Sequence, residues 1–174
     1  MNPGGIRADF TYASSAALEG DGIVTYGEAF SVQPFGNSLV TKTFTGQQIY
    51  DLLEQQWGAL QPYARILQVS DGFSYQHTFD TTAASFAAQK GGQYVCDGSV
   101  RLNGVAIDKL ASYRVTMNSF LASGGDNFSV FNQGTAQLGG ALDLDAMQQY
   151  FTAHDPVAPG AQDRIVRIAA CPAP

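Results

Sequence analysis

The residue types best suited to binding chemistry lie in three glycine-containing stretches. The first, NPGGIR, places Asn2 and Arg7 beside two glycines, and main-chain N–H groups next to a guanidinium favour an anionic oxygen. The second, PFGN, holds Phe35 between a proline and a glycine that together favour a turn. The third, FLASGGDNF, puts Phe120 and Asp126 on either side of two glycines, whose backbone lets a ligand or a second segment approach closely.

Each stretch alone has a structural interpretation that is commoner than a functional one. An isolated GGxR is usually an exposed turn, and an isolated phenylalanine usually folds back onto the core. Together, however, the stretches supply two aromatic rings, an arginine and an acid. A planar base gains about 1 to 3 kcal/mol from each aromatic residue that stacks on it, and a carboxylate accepts hydrogen bonds from sugar hydroxyls. The combination therefore favours a nucleoside.

Composition limits the class of protein and of partner. The chain has 174 residues, which suits one domain, and 45% of them are hydrophobic, which is enough for a real core. Its formal net charge of −6 gives no broad attraction for a phosphate backbone, so a nucleic acid polymer is a poor partner. No window approaches 18 consecutive apolar residues, so we expect no membrane span in this chain.

The two cysteines and two histidines allow few covalent or metal-binding arrangements. Cys96 and Cys171 lack CxxC spacing, and with only His77 and His154 besides them a zinc site has too few ligands. We favour a structural disulfide formed in an oxidising compartment over two free buried thiols. Closing this loop of 75 residues would contribute ~4 kcal/mol by chain entropy.

The periodicity of apolar residues predicts an α+β domain. Helices are predicted where apolar residues recur at helical spacing, within 44–57 with Thr45 as a candidate cap and at 143–154. Strands are predicted where alternation and β-branched or aromatic residues dominate: 37–44, a hairpin of 65–70 with 73–80, two short strands within 99–108, 113–120 and a last strand at 164–170. Helices that punctuate hairpins without a regular βαβ rhythm exclude a doubly wound parallel sheet.

The ordered set of motifs resembles one known family. The motifs are NPGGIR, PFGN, LQVSDGFSY, VRLNGVAID and YRVTMNSFLASGGDNF, and they run from residue 2 to about residue 169. In this order they are similar to the C-terminal, substrate-specificity domain of the 5'-nucleotidase and UDP-sugar hydrolase family of metallophosphoesterases. The resemblance implies a four-layer α/β/β/α domain that spans residues 1–174. Asn127-Phe128 depart from the pattern, since many relatives have Gly-Tyr or Gly-Phe there.

The resemblance also implies a role for seven residues. Phe35 and Phe120 would clamp the nucleobase, and Asp126 would bind the ribose hydroxyls. The remaining four would contact the nucleotide or line its pocket: Asn2, Arg7, Asn37 and Gly125.

The family's catalytic centre, with two divalent metal ions, belongs to a separate N-terminal metallophosphoesterase domain. We therefore expect no catalytic residue and no metal ligand in this chain, which would act as the specificity domain of a longer extracytoplasmic enzyme, periplasmic, cell-surface or secreted. By itself it is predicted to be inactive. Two alternatives remain open. One is a stand-alone nucleoside- or sugar-binding module without a catalytic partner, and the other is a dimerisation or scaffold domain whose glycine-containing turns bind no ligand.

Overall fold

The structure is a computed structural model that describes residues 24–80, 82–154, 157 and 160–172. Asn2 and Arg7 lie outside the described residues. Within the described part of the chain, no helix is long and apolar enough to cross a membrane.

Helices and strands alternate irregularly along the chain. The helices are α1 (Tyr26–Val32), α2 (Gly46–Glu54), α3 (Ala83–Gln89), α4 (Ser119–Ala122) and α5 (Asp143–Ala153). The strands are β1 (Ser38–Thr45), β2 (Phe73–His77), β3 (Arg101–Leu102), β4 (Val105–Ala106), β5 (Ser112–Asn118), β6 (Thr135–Leu142) and β7 (Ile165–Arg167). Single 3-10 turns cover Gln55–Trp57, Gly125–Asn127 and Ser129–Gln133.

The described strands form two sheets. The first has the order β5-β1-β6, and both of its pairs are antiparallel. The second has the order β4-β3-β2-β7, in which only the β2–β7 pair is parallel. The α+β class predicted from the sequence is confirmed.

Both sheets contribute to one hydrophobic core. Alternate residues of β1, β2 and β5 are buried, as a sheet with one covered face requires. Helix α2 adds its apolar face to the same cluster, and Trp57, just beyond it, is fully buried. The ring of Trp57 stacks on that of Phe79, with the centroids 5.0 Å apart.

The two helices predicted from periodicity are both present. Helix α2 begins after Thr45, whose hydroxyl accepts from the Gln48 amide while the Gln48 side chain accepts from the Thr45 amide. This capping box satisfies two backbone donors that the first turn would otherwise leave unpaired. Helix α5 covers 143–153, one residue short of the prediction.

The strand predicted at 65–70 is wrong, whereas 73–77 forms β2. The backbone amides of Arg65 and Leu67 donate to Gln56, the first to its carbonyl and the second to its side chain. Since Gln56 takes these donors, the segment does not pair with β2. β2 instead lies between β3 and β7. The short strands across Asn103-Gly104 and the last strand, now β7, are confirmed.

The segment around residue 95 is held by a disulfide and by a half-buried carboxylate. Cys96 forms a disulfide with Cys171, as predicted from the sequence. The bond links the chain that follows β7 to the segment around Val95, which forms a bridge with His77 of β2. The carboxylate of Glu54 accepts from the indole of Trp57 and from the amides of Tyr94 and Val95. These contacts join α2 to the disulfide-bonded segment.

His77 is buried beside these aromatic rings. Only 4% of its surface is exposed, its ring lies 5.2 Å from that of Trp57, and its Nδ1 has no hydrogen-bond partner among the described residues. Burial lowers the pKa of His77 below its usual value, and the positive charge of Arg167 lowers it further. The folded chain therefore holds a neutral imidazole.

The stability of the protein should depend on this imidazole in the pH window that runs from just above its unfolded pKa of about 6.5 down through its lowered folded pKa. Because the pKa of His77 is lower in the folded chain, the unfolded chain binds more protons in this window, and stability falls as the pH falls. The stabilisation is complete above the unfolded pKa of about 6.5 and is lost as the pH drops through the folded value. We expect the free energy of unfolding to change by up to about 1.4 kcal/mol per pH unit in urea titrations.

The variant that tests this prediction is His77→Phe, which should flatten the slope relative to the wild type. Equal slopes in the two proteins would contradict the prediction.

Candidate functional site

Phe35 and Phe120 lie at the same end of the β1–β5 pair. Leu39 pairs with Asn118 in this antiparallel ladder, so the chain that enters β1 and the chain that leaves β5 meet at one edge of the sheet. Phe35 precedes that pair on one strand and Phe120 follows it on the other. Both side chains are unusually open for phenylalanine, with 71% and 49% of their surfaces exposed. Neither ring stacks on an aromatic ring of the described chain.

Hydrogen bonds connect the two ring-bearing segments. The Ser119 hydroxyl donates to Oδ1 of Asn37 at 3.1 Å and accepts from the Ser38 amide at 3.3 Å. Asn37 is two residues from Phe35, and Ser119 directly precedes Phe120. The predicted pocket residue Asn37 therefore links the two segments through its side chain.

The turn that carries Phe35 is held by hydrogen bonds to Asp143, the first residue of α5. The Asp143 amide donates to the Asn37 carbonyl at 2.8 Å, and its carboxylate accepts from the side-chain amide of Gln33. Both Asp143 and Gln33 are buried. Gly36 completes the turn with φ +61°, a left-handed conformation that glycine adopts without steric cost. The exposed ring thus stands on a turn fixed on both sides.

Phe120 rests directly on the backbone of Gly125. A Cβ at position 125 would lie 2.6 Å from two atoms of the Phe120 ring, closer than any real contact. The glycine therefore has a specific purpose in this loop: it leaves room for the aromatic ring. Asn118 caps the short helix α4 by accepting from the Leu121 amide at 2.8 Å, which fixes where Phe120 projects.

A buried lysine holds the loop that follows Phe120. Nζ of Lys42, in the middle of β1, donates to the carbonyl oxygens of Ala122 at 2.7 Å and Phe131 at 3.0 Å. Only 6% of Lys42 is exposed, so these bonds offset part of the cost of burying its charge. The loop from 122 to 131 is thereby fastened at both ends to the sheet.

Asp126 lies in this loop with its carboxylate already paired. Its Oδ2 lies 2.7 Å from a guanidinium nitrogen of Arg65. Both Asp126 and Asn127 have positive φ, 54° and 63°. Asn127 thus adopts the left-handed conformation, which asparagine is one of the few residues besides glycine to tolerate.

The residues that hold the site in place were not predicted from the sequence: Gln33, Lys42, Arg65, Ser119 and Asp143. Only Ser119 belongs to a glycine-containing motif, and each contacts a segment more than 60 residues away. Of the predicted residues, Phe35, Asn37, Phe120, Gly125 and Asp126 lie in the turns described above, and Asn2 and Arg7 lie outside the described residues.

The described residues do not suit the two metal ions that the resemblance associates with its N-terminal domain. They contain no group of three or more His, Cys, Asp or Glu side chains that could hold a metal ion. The imidazole of His77 is enclosed by aromatic rings, and both cysteine sulfurs are in the disulfide.

Known proteins resemble the chain over most of its length. The family model described as 5'-nucleotidase, C-terminal domain, matches residues 1–133. A cell wall protein of Listeria monocytogenes is 37% identical over 144 residues, which is 83% of this chain and 16% of the relative. A trifunctional nucleotide phosphoesterase protein of Bacillus subtilis is 34% identical over 135 residues, 76% of this chain and 8% of the relative.

Solved structures share the fold. The crystal structure of a 5'-nucleotidase precursor from Thermus thermophilus superposes with a TM-score of 0.64 at 28% identity, covering 84% of this chain and 28% of that one. The chain thus spans less than a third of the relatives described here. From the family match and the shared fold, the chain belongs to the 5'-nucleotidase family and corresponds to its C-terminal domain.

Proposed function

We propose that this chain holds the base and ribose of a nucleotide or nucleoside within a longer 5'-nucleotidase-type hydrolase. In that protein a separate N-terminal metallophosphoesterase domain hydrolyses the phosphate ester. The observation that carries the proposal is the pair of exposed rings, Phe35 and Phe120, on braced turns at one end of the β1–β5 pair.

The chemistry of these side chains suits a nucleoside. Aromatic rings that are held in place stack on any planar nucleobase. Because the turns that carry them are already fixed, little conformational entropy is lost on binding. The Asp126 carboxylate, one loop away from Phe120, accepts hydrogen bonds from sugar hydroxyls. Asn2 and Arg7 remain predicted contacts to the nucleotide.

The contribution of this domain to hydrolysis is positioning. A substrate whose base and sugar are held has lost much of the freedom that the reaction would otherwise cost. Two divalent metal ions in the N-terminal domain would supply the activated water and stabilise the charge on the phosphate. The present chain should therefore bind its ligand and hydrolyse nothing by itself.

We also propose an extracytoplasmic location for the longer protein. The Cys96–Cys171 disulfide supports it, because such bonds persist in oxidising compartments and are rare in the cytosol. The relative in Listeria is named a cell wall protein, which agrees with this proposal.

Removing both rings should strongly weaken nucleoside binding. We expect adenosine and AMP to bind the wild-type chain in a calorimetric titration, and the Phe35→Ala/Phe120→Ala variant to bind at least about tenfold more weakly, since each ring contributes about 1 to 3 kcal/mol. Leu110→Ala is the control, because Leu110 is 89% exposed and lies near Gly46, at the opposite end of β1. Its affinity should equal that of the wild type.

The same samples, supplied with manganese or zinc, distinguish the competing functions. Binding without phosphate release is the predicted result, and phosphate release would contradict the division of labour between the domains. No binding of adenosine or AMP would contradict the proposal, and retained binding in the double variant would favour a scaffold role for the turns. If the complete protein from which this chain derives contained no metal-binding domain, the stand-alone binding module would be correct.

A methyl group at position 125 should weaken binding by moving one ring. In Gly125→Ala the new Cβ takes the space of the Phe120 ring. Because that ring is half exposed, we expect it to swing away while the loop stays, so that adenosine affinity falls several-fold and the free energy of unfolding changes by less than about 1 kcal/mol. Gly139→Ala is the control, since nothing lies within 4 Å of its new Cβ. Wild-type affinity in Gly125→Ala would contradict this role of the glycine.

A further inference from the structure

The turn that carries Asp126 has a left-handed backbone at three residues. Gly124, Asp126 and Asn127 all have positive φ, between 54° and 78°. Aspartate and asparagine tolerate this conformation better than other residues with a side chain, yet it still costs them free energy and persists where the surroundings hold it. The contacts that hold this turn therefore determine where the Asp126 side chain lies.

Three of those contacts come from a single segment, residues 60–65. The side-chain amide of Gln61 donates to the Asp126 carbonyl at 2.8 Å, and the side chain of Asn127 donates to the Leu60 carbonyl at 3.1 Å. The third is the ion pair between Arg65 and Asp126. The first two fix the backbone of the turn, so the ion pair is left to orient the carboxylate.

Arg65 is itself held firmly. Its guanidinium lies over the ring of Tyr63 at 4.7 Å and its amide donates to the Gln56 carbonyl at 2.8 Å, while its Nε is buried without a hydrogen-bond partner among the described residues. The side chains of Arg65 and Asp126 are only 28% and 37% exposed, so their pairing is screened less than that of a surface pair. A guanidinium fixed in this way presents its N–H groups in one direction.

The ion pair leaves part of the carboxylate accessible. Oδ2 of Asp126 lies 2.7 Å from a guanidinium nitrogen of Arg65, and 37% of the Asp126 side chain is exposed. An ionised carboxylate accepts several hydrogen bonds, so a partly exposed one that is paired through Oδ2 keeps capacity for further donors. Pairing with Arg65 also cancels the negative charge at this position, which removes the repulsion that a bare carboxylate would exert on an anionic ligand.

We propose that Arg65 is a positioning residue that sets the specificity of the site for ribonucleosides with free 2′ and 3′ hydroxyls. It holds Oδ2 of Asp126 so that Oδ1 accepts hydrogen bonds from the sugar. This inference rests on the proposed function. It differs from a purely structural brace in one respect: it predicts an effect on the ribose hydroxyls and none on the base.

The test compares adenosine with 2′,3′-dideoxyadenosine in calorimetric titrations of three proteins. The wild type should prefer adenosine at least tenfold. Arg65→Met keeps an apolar stem over Tyr63 but lacks the charge, and its preference should fall below threefold while its affinity for the dideoxynucleoside stays within twofold of wild type. Arg65→Lys keeps the charge without the planar fork, and its preference should be intermediate. Arg101→Met, on β3, is the control and should bind as the wild type does.

Each outcome has a defined meaning. An unchanged preference in Arg65→Met, or an equal loss of affinity for both ligands, would overturn the positioning role and leave the base clamp intact. A wild type that binds both ligands equally well would overturn the sugar contact of Asp126 and this inference with it. A wild type that binds neither ligand would overturn the proposed function itself. Should Arg65→Met fail to fold, Arg65→Lys decides: a reduced preference supports the proposal and an unchanged one overturns it.

Discussion

The antiparallel ladder between β1 and β5 fixes where the two exposed rings lie. Leu39 opposes Asn118 and the pairing continues to Thr45 and Ser112, so the segments before β1 and after β5 leave the sheet together. A slip of one residue would turn the buried face of either strand to solvent, and burial of the core therefore specifies the register. The rings of Phe35 and Phe120 are thus placed by the packing of other residues, and their own faces stay available.

Buried polar groups then hold the loops at this edge. Lys42 and Asp143 are both buried, and each makes hydrogen bonds to the backbone of a turn that carries a proposed binding residue. Burying such groups costs free energy that hydrogen bonds only partly return. An apolar residue in place of Lys42 would leave the carbonyls of Ala122 and Phe131 without this donor. An apolar residue in place of Asp143 would leave the buried side-chain amide of Gln33 without its acceptor, whereas the backbone bond to Asn37 would remain. Much of the preorganisation of the site comes from these two residues.

The sequence alone predicted the elements and turns that short-range interactions determine. The capping residue Thr45 and the alternation of β1 marked their elements, and the glycine motifs marked the turns. The strand expected at 65–70 does not form, because Gln56 takes its backbone donors, a contact that no local pattern reveals. Strand β6 was missed, because its TAQLGGAL is exposed throughout and shows no alternation. Arg65 and Asp126 are 61 positions apart in the sequence, so their pairing can be recognised only in the folded structure.

Backbone NMR spectra recorded during an adenosine titration would locate the ligand, which we propose binds between the segments around Phe35 and Phe120. Amide signals of residues 35–38 and 118–127 should shift together and saturably. Signals from the four-stranded sheet should stay in place, including those of Ser74, Gln76 and Arg101 around its separate cavity of about 340 Å³. Shifts confined to that cavity, with the ring-bearing segments unchanged, would contradict binding at the two rings.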